Sequence, residues 1–180
     1  MSLRPLAESD LPLVRCWRNA PEVRRWMFTR HEIGEAEHRA WFERIHADPQ
    51  VRWLIHENPA GQADGVIGFT QIDRVSNKAF WGFYAAPASP RGTGTRIGQE
   101  ALDCAFVEMG LHKLNAEVIA GNEASVKFHL KLGFRQEGYF RAEHFDGTQY
   151  VDVVRFAILA EEWQVKRGEI LAGLARAEIV

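Results

Sequence analysis

Leu11, Val14 and Trp17 recur at helical spacing behind Ser9 and Asp10, either of which can cap a helix. A short strand is predicted before them at Leu3 to Leu6, and Asn19-Ala20-Pro21 breaks the helix. A second helical pattern runs from Glu35 to about His46. It sets His38, Trp41, Phe42 and Ile45 on one face, so His38 is expected to point inward with the aromatics. Val51 to His56, Val66 to Asp73 and Ala79 to Ala86 read as strands of an antiparallel meander, separated by the turn formers Asn58-Pro59-Ala60-Gly61 and Ser76-Asn77-Lys78. A helix with Ala101, Leu102, Ala105, Phe106 and Met109 as its buried stripe follows, ending near Gly110. Leu114 to Ile119 alternates as a strand, and Asn122 to Leu132 is a short helix stopped by Gly133. Phe134 to Arg141 and Tyr150 to Ile158 pattern as a closing antiparallel pair across the turn Phe145-Asp146-Gly147-Thr148, before a terminal helix from about Ala160 that carries Trp163.

The sum of elements is a mixed α/β (α+β) chain. With 180 residues, 46% of them apolar, residues 1–180 are expected to form one domain with a sizeable core. The net charge of -2 and the interspersed signs give no reason to expect a nucleic-acid partner. No signal-like amino terminus or bilayer-length apolar run is visible, so the protein is expected to be cytoplasmic with no membrane partner. Cys16 and Cys104 lack metal-ligand or redox spacing and are expected to be reduced thiols, and no metal site is expected.

The stretch that bears on chemistry is Arg91-Gly92-Thr93-Gly94-Thr95-Arg96-Ile97-Gly98, which opens a helix. Unpaired N–H groups of a first helical turn, the helix dipole and glycines that allow close approach suit a diphosphate. A dinucleotide-binding loop fits the same glycines loosely. Such a loop, however, follows the first strand of a parallel βαβ unit and is answered by an acidic residue about 20 positions on, whereas this one follows a meander. Downstream come Asn122, Ser125, Phe128, His129, Lys131, Gly133 and Phe134.

Together these segments resemble the GNAT superfamily of acetyl-CoA-dependent N-acetyltransferases over nearly the whole chain. Arg91-Gly92-Thr93-Gly94 follows the family's phosphate motif, with Arg96 where a small residue is usual. Asn122 to Phe134 follows the second motif, with His129 where tyrosine is usual. The resemblance implies a bent, mostly antiparallel sheet flanked by helices, with acetyl-CoA entering where two central strands splay apart. It implies donor contacts from Arg91, Gly92, Thr93, Gly94, Thr95, Arg96, Asn122, Ser125, Phe128 and Lys131. The reaction it implies is direct attack of a primary amine in a ternary complex, without metal or covalent enzyme intermediate. A backbone N–H within Trp81 to Ala86 would stabilise developing charge, with Gly82 permitting a bulge or close approach.

Three residues are candidate catalysts. His129 is the expected general acid, since an ordinary imidazolium can donate near neutrality, or else a helix histidine that only hydrogen-bonds the cofactor. Glu117 is either a general base or an ion-paired strand carboxylate. His38 is either a packing residue or a contact to the acceptor and a candidate proton acceptor. The stretches Trp17 to Arg24, Glu37 to Phe42, Leu111 to Ala116 and Glu137 to Arg141 are similar to the GNAT subgroup that acetylates the 4-amino group of a UDP-linked amino sugar in pseudaminic acid biosynthesis. That likeness implies a nucleotide-sugar acceptor, with Arg18, Arg24, Arg25 and Arg30 available for its diphosphate and His38 and Tyr84 for the sugar or uracil. The alternative acceptor is a ribosomal-protein or other peptide amino terminus. A diamine acceptor would want clustered carboxylates, which the sequence does not display, and a non-catalytic acyl-CoA-binding module is disfavoured by the intact acid position. The exposed hairpin permits a homodimer.

Overall fold

The structure, a computed structural model, describes the backbone of residues 2–177 and the side chains of residues 2–172. Among these residues seven strands form a single sheet: β1 (Leu3–Pro5), β2 (Arg52–Glu57), β3 (Ala63–Asp73), β4 (Lys78–Ala85), β5 (Lys113–Ile119), β6 (Arg135–Phe145) and β7 (Tyr150–Leu159). Their order is β1-β2-β3-β4-β5-β7-β6, and every pairing is antiparallel except β4 with β5. The expected meander is thus present, and the Asp146-Gly147 turn joins the last two strands with Gly147 at φ 100°, a conformation that glycine adopts without penalty.

The parallel pairing is short. It covers only Lys78 with Lys113, Ala79 with Leu114 and Phe80 with Asn115, after which β4 continues beside β3 and β5 beside β7. Buried Asn115 donates Nδ2 to the Ala79 carbonyl at 3.0 Å, latching the two strands just before they part. The expected splay is therefore a feature of the sheet itself.

Among the described residues six α-helices flank it: α1 (Leu11–Asn19), α2 (Pro21–Arg24), α3 (Glu35–Ala47), α4 (Thr93–Asp103), α5 (Glu123–Lys131) and α6 (Ala160–Ala177). The alternation along the strands divides the core. Leu54, Ile67 and Phe69 face Ile97, Leu102 and Trp163 on one side, whereas Ile55 and Val66 face Val14 and Trp17 on the other. Asp10 does not cap α1 as expected; its carboxylate turns back to Arg4 at 2.7 Å and to the Ala7 N–H at 2.9 Å, because a 3₁₀ turn over Glu8–Asp10 already leads into the helix. After α4 the backbone runs through a π-turn over Cys104–Glu108 before Gly110, at φ 64°, ends it. Asp103 gathers Gln99, Trp163 and Arg167, fixing α6 against α4. Burial pushes the Cys104 thiol up to about 11.

One ionic cluster lies away from the splay. His56 is fully buried, with Nδ1 hydrogen-bonded to Asp64 and Nε2 3.6 Å from Glu100 of α4. Burial alone would lower its pKa, but the carboxylates of Glu100 and Asp64 outweigh that and raise it. A raised folded pKa means stability that is complete below the unfolded histidine value of 6.5 and is lost as pH climbs through the folded value. Thermal melts taken on the alkaline side of 6.5 should therefore show wild-type stability falling with pH, and His56→Gln should flatten that slope. His38 and His129, both lowered by burial, act on the acid side and do not mask it.

Candidate active site

Where β4 and β5 separate, a cleft of about 820 Å³ opens. Phe80 to Ala85 form one wall, Glu117 to Ile119 the other, and Asn122, Ser125, Phe128 and His129 of α5 close one end. The opposite end is made by Arg18, residues 26–29, Ile33, Glu37, His38 and Trp41 from the amino-terminal helices and the segment between them. One end of the cleft thus lies beside α4 and α5, where the donor contacts are expected, and the other beside α1 and α3, where the acceptor contacts are expected; the two are called the donor end and the acceptor end on that expectation.

At the donor end, Gly92 precedes α4 at φ 93°, a left-handed geometry that leaves the first-turn N–H groups at the helix start. Gly98 lets α4 and α5 touch, since a Cβ there would stand 2.8 Å from Phe128 Cζ and 2.9 Å from Leu132 Cδ1. Phe128 in turn lies 5.1 Å from the ring of Phe83, and a Cβ on Gly94 would be 4.0 Å from Phe83. The glycine loop and the second motif therefore meet across cleft-lining rings. Asn122 caps α5, accepting the Ser125 N–H at 3.2 Å. Thr93 is buried, Thr95 and Arg96 are half-buried, and Arg91 and Lys131 stand exposed. A loop of N–H donors, a bare Gly82 with no atom within 4 Å of where its Cβ would be, and an apolar floor fit a pantetheine-linked diphosphate.

Of the bulge or close approach that Gly82 would permit, neither is present there. Gly82 pairs in register with Gly68, and the irregularity lies on the neighbouring strand between Thr70 and Asp73, where Gln71 takes φ 51°. The sequence pattern also does not single out Trp53, whose ring lies across Gly68 because a Cβ there would come within 2.7 Å of it. Trp53 meets Trp41 edge-on at 5.0 Å, and both rings line the acceptor end.

His129 is buried among Trp81, Phe134 and Phe156, stacked on the last at 5.6 Å. Burial lowers its pKa, more than the hydrogen bond to the Ser125 carbonyl raises it. The carbonyl, 2.8 Å from Nδ1, can only accept, so Nδ1 carries the proton and Nε2 of the neutral ring holds a lone pair. The resting imidazolium expected as proton donor is thus disfavoured, for the physical reason that no charge partner accompanies it into the aromatic cage. Glu117 lines the cleft but is ion-paired with Arg155, whose Nε donates to it at 3.0 Å. His38 does point inward, stacked on Trp41 at 4.9 Å, with its pKa lowered first by burial and then by Arg15 and Arg18.

The four candidate arginines part company. Arg18 lines the cleft, donating Nη2 to the Thr29 carbonyl at 2.6 Å while its Nη1 is buried without a partner. Arg30 is bound by Asp146 at 2.6 Å, Arg24 faces Glu32 at 3.9 Å, and exposed Arg25 lies over the Trp26 ring. Of the four, Arg18 alone lines the cleft, and Arg30 also keeps a buried Nε without a partner. Tyr84 lines the same wall, its pKa raised by burial and eased by Arg18.

Residues 1–135 match the family model described as acetyltransferase (GNAT) domain. The chain belongs to the GNAT acetyltransferase family. It is accordingly an acetyl-CoA-dependent N-acetyltransferase, and acetyl-CoA brings to the site an acetyl group activated as a thioester. The acetyltransferase is 27% identical to the spermidine N(1)-acetyltransferase of Escherichia coli K12 over 165 residues, covering 91% of this chain and 88% of the relative. It is 28% identical to the acetyltransferase PseH of Campylobacter jejuni over 130 residues, covering 72% and 79% of the two chains. In fold it matches the spermidine N-acetyltransferase of Vibrio cholerae, solved with CoA and spermine, with a TM-score of 0.83 at 24% identity over 90% of this chain and 96% of the other. Among the described residues no group of three or more His, Cys, Asp or Glu side chains is arranged to hold a metal ion, and no helix is long and apolar enough to cross a membrane.

Proposed function

We propose that this acetyltransferase acts on the 4-amino group of a UDP-linked amino sugar, UDP-4-amino-4,6-dideoxy-N-acetyl-β-L-altrosamine, as in pseudaminic acid biosynthesis. The observation that carries this reading is Arg18, whose Nη1 edge is buried in the acceptor wall without a partner. An unpaired guanidinium edge in a low-dielectric wall is costly until an anionic or strongly accepting group meets it, and a sugar diphosphate supplies one. Trp26, Phe28, Trp41, Trp53 and Tyr84 surround that end and suit a flat base and a deoxy sugar ring.

Spermidine is the second reading, because named relatives over nine-tenths of the chain act on it. This cleft suits a polycation less well. Of the three carboxylates that line it, Glu37 faces His31 at 2.8 Å and Glu117 faces Arg155, which leaves Glu22 to meet a cation, while Arg18 and Arg44 add like charge.

In this reading the proton moves are carried by the two buried histidines. His38 and His129 both rest neutral, so each offers a lone pair to an amine proton at physiological pH. With Nδ1 of His129 held by Ser125, Nε2 is the atom that takes a proton and yields it to the leaving sulfur. Unpaired backbone N–H groups of β4 beyond Phe80 face the carbonyl being attacked. The test is acetyl-CoA consumption with three acceptors offered separately: the amino-sugar nucleotide, spermidine and an amino-terminal peptide. Turnover confined to the first is expected; turnover confined to either of the others replaces the reading.

A further inference from the structure

The acceptor end of the cleft is walled by a segment that has almost no regular structure. Residues 25–34 form neither helix nor strand, yet Trp26, Met27, Phe28, Thr29 and Ile33 line the cleft. Its first residues continue from α2 through backbone bonds, Trp26 N–H to Val23 and Met27 N–H to Arg24, both at 3.1 Å, and side-chain hydrogen bonds order the rest. Asn19 at the end of α1 exchanges two bonds with Ile33, donating Nδ2 to its carbonyl at 2.9 Å and accepting its N–H at 2.8 Å. The middle is held from the tip of the β6–β7 hairpin, 116 residues away in sequence. There Arg30 Nη1 donates to Asp146 Oδ2 at 2.6 Å, and His144 Nε2 lies 3.0 Å from the Phe28 carbonyl, its ring edge-on to Phe28 at 5.0 Å.

The Asp146 carboxylate is specialised for this. Its side chain is only 4% exposed. Oδ1 accepts the Thr148 N–H, the Thr148 hydroxyl and the Gln149 N–H at 2.9, 2.7 and 3.0 Å, which orients the group and leaves Oδ2 for Arg30. Between Phe28 and Arg30 sits Thr29, whose carbonyl receives Arg18 Nη2. The hairpin tip therefore fixes the peptide that aims the Arg18 guanidinium.

We infer that Asp146 is a positioning residue for the acceptor: through Arg30 it clamps the 26–30 segment over the cleft and so sets Arg18 and the Phe28 wall in their binding geometry. The inference rests on the reading of Arg18 as the acceptor's anchor. It adds the hairpin as a part of the acceptor site that touches no substrate. The donor end, built on α4 and α5, shares no residue with the clamp, so disturbing it should separate acceptor binding from acetyl-CoA binding.

Asp146→Asn tests this in the full chain. The amide retains Oδ1 for the turn and removes the charge that binds Arg30, leaving the hairpin's own bonds in place. The expected result is an acceptor KM raised about tenfold or more, with acetyl-CoA KM and kcat within about threefold of wild type. Arg30→Gln, which leaves the turn untouched, should reproduce the effect even if the Asp146 variant folds poorly, and the double variant should be no worse than either single one. An unchanged acceptor KM, equal shifts in both KM values, or additive effects in the double variant would each overturn the inference. Kinetics are run with the UDP-linked amino sugar and, separately, with spermidine. If neither is acetylated the acceptor reading fails on its own, and amide hydrogen exchange still decides the clamp. The peptide spanning residues 26–30 should exchange about tenfold faster or more in Asp146→Asn. Unchanged exchange there overturns the clamp whatever the acceptor.

Discussion

Replacing His129 by phenylalanine is expected to lower kcat by about 10²–10⁴-fold, the usual worth of a positioned proton-transfer group, with acetyl-CoA KM little changed. Phenylalanine preserves the stacking on Phe156 and the edge contacts to Trp81 and Phe134, so it removes the ring nitrogens with little disturbance to the cage. The pH profile separates the two ways in which an imidazole could serve. Because burial lowers the pKa of His129 below 6.5, a mechanism needing a resting imidazolium would already be failing at neutral pH and would weaken further as pH rises. A mechanism starting from the neutral ring requires the opposite sign. Wild-type kcat/KM should be insensitive to this group through neutrality and should fall only on the acid side of 6.5, as the ring is protonated before it can act. Retention of full turnover by His129→Phe would remove the residue from the mechanism, and an acid-side rise in rate would reverse its assigned direction of proton flow.

The second large effect is expected at Arg18. Arg18→Gln should raise the acceptor KM by about 10- to 100-fold, since hydrogen bonds to charged groups are worth roughly 1.5–3 kcal/mol. Its kcat with saturating acceptor should stay close to wild type, because the guanidinium lies at the acceptor end and away from the α5 residues of the donor end. Arg18→Lys should not rescue binding. A lysine cannot hold the Thr29 carbonyl with one nitrogen while presenting a second, fixed nitrogen to the cleft. If the acceptor is a polycation the sign inverts, and Arg18→Gln binds it better. Steady-state kinetics on the two variants with each acceptor read this directly.

The local rules carried far in this chain. Periodicity gave the helices over Leu11–Asn19 and Glu35–Ala47 and the inward face of His38, and turn chemistry gave the hairpin at Asp146-Gly147. Both are encoded within a few residues of where they act. The glycine loop that opens α4 and the Asn122 to Phe134 motif that forms α5 were legible for the same reason, since each is contiguous in sequence. What could not be read is what depends on long-range pairing. Four arginines of one type looked equivalent in sequence, and only the fold shows Arg30 drawn to a carboxylate 116 positions away while Arg18 lines the cleft. Trp53 enters the cleft through a vacancy that Gly68 leaves on the facing strand. The protonation state of His129 could not be read because the rings around it come from β4, β7 and Phe134 just before β6 as well as its own helix, and together they bury it. Glycine at position 82 marks neither a bulge nor a close approach: no atom lies within 4 Å of where its Cβ would be, and the irregularity falls at Gln71, where the β3 register breaks.

The central claim is that this cleft takes a nucleotide-linked amino sugar as the amine that receives the acetyl group. Mass spectrometry tests it most directly: the enzyme is incubated with acetyl-CoA and an equimolar mixture of the UDP-linked 4-amino sugar, spermidine and an amino-terminal peptide, and the molecule that gains the acetyl mass is identified. The account predicts that the amino-sugar nucleotide is acetylated first and that the other two remain unmodified until it is exhausted. Acetylation of spermidine or the peptide ahead of the amino-sugar nucleotide would contradict it.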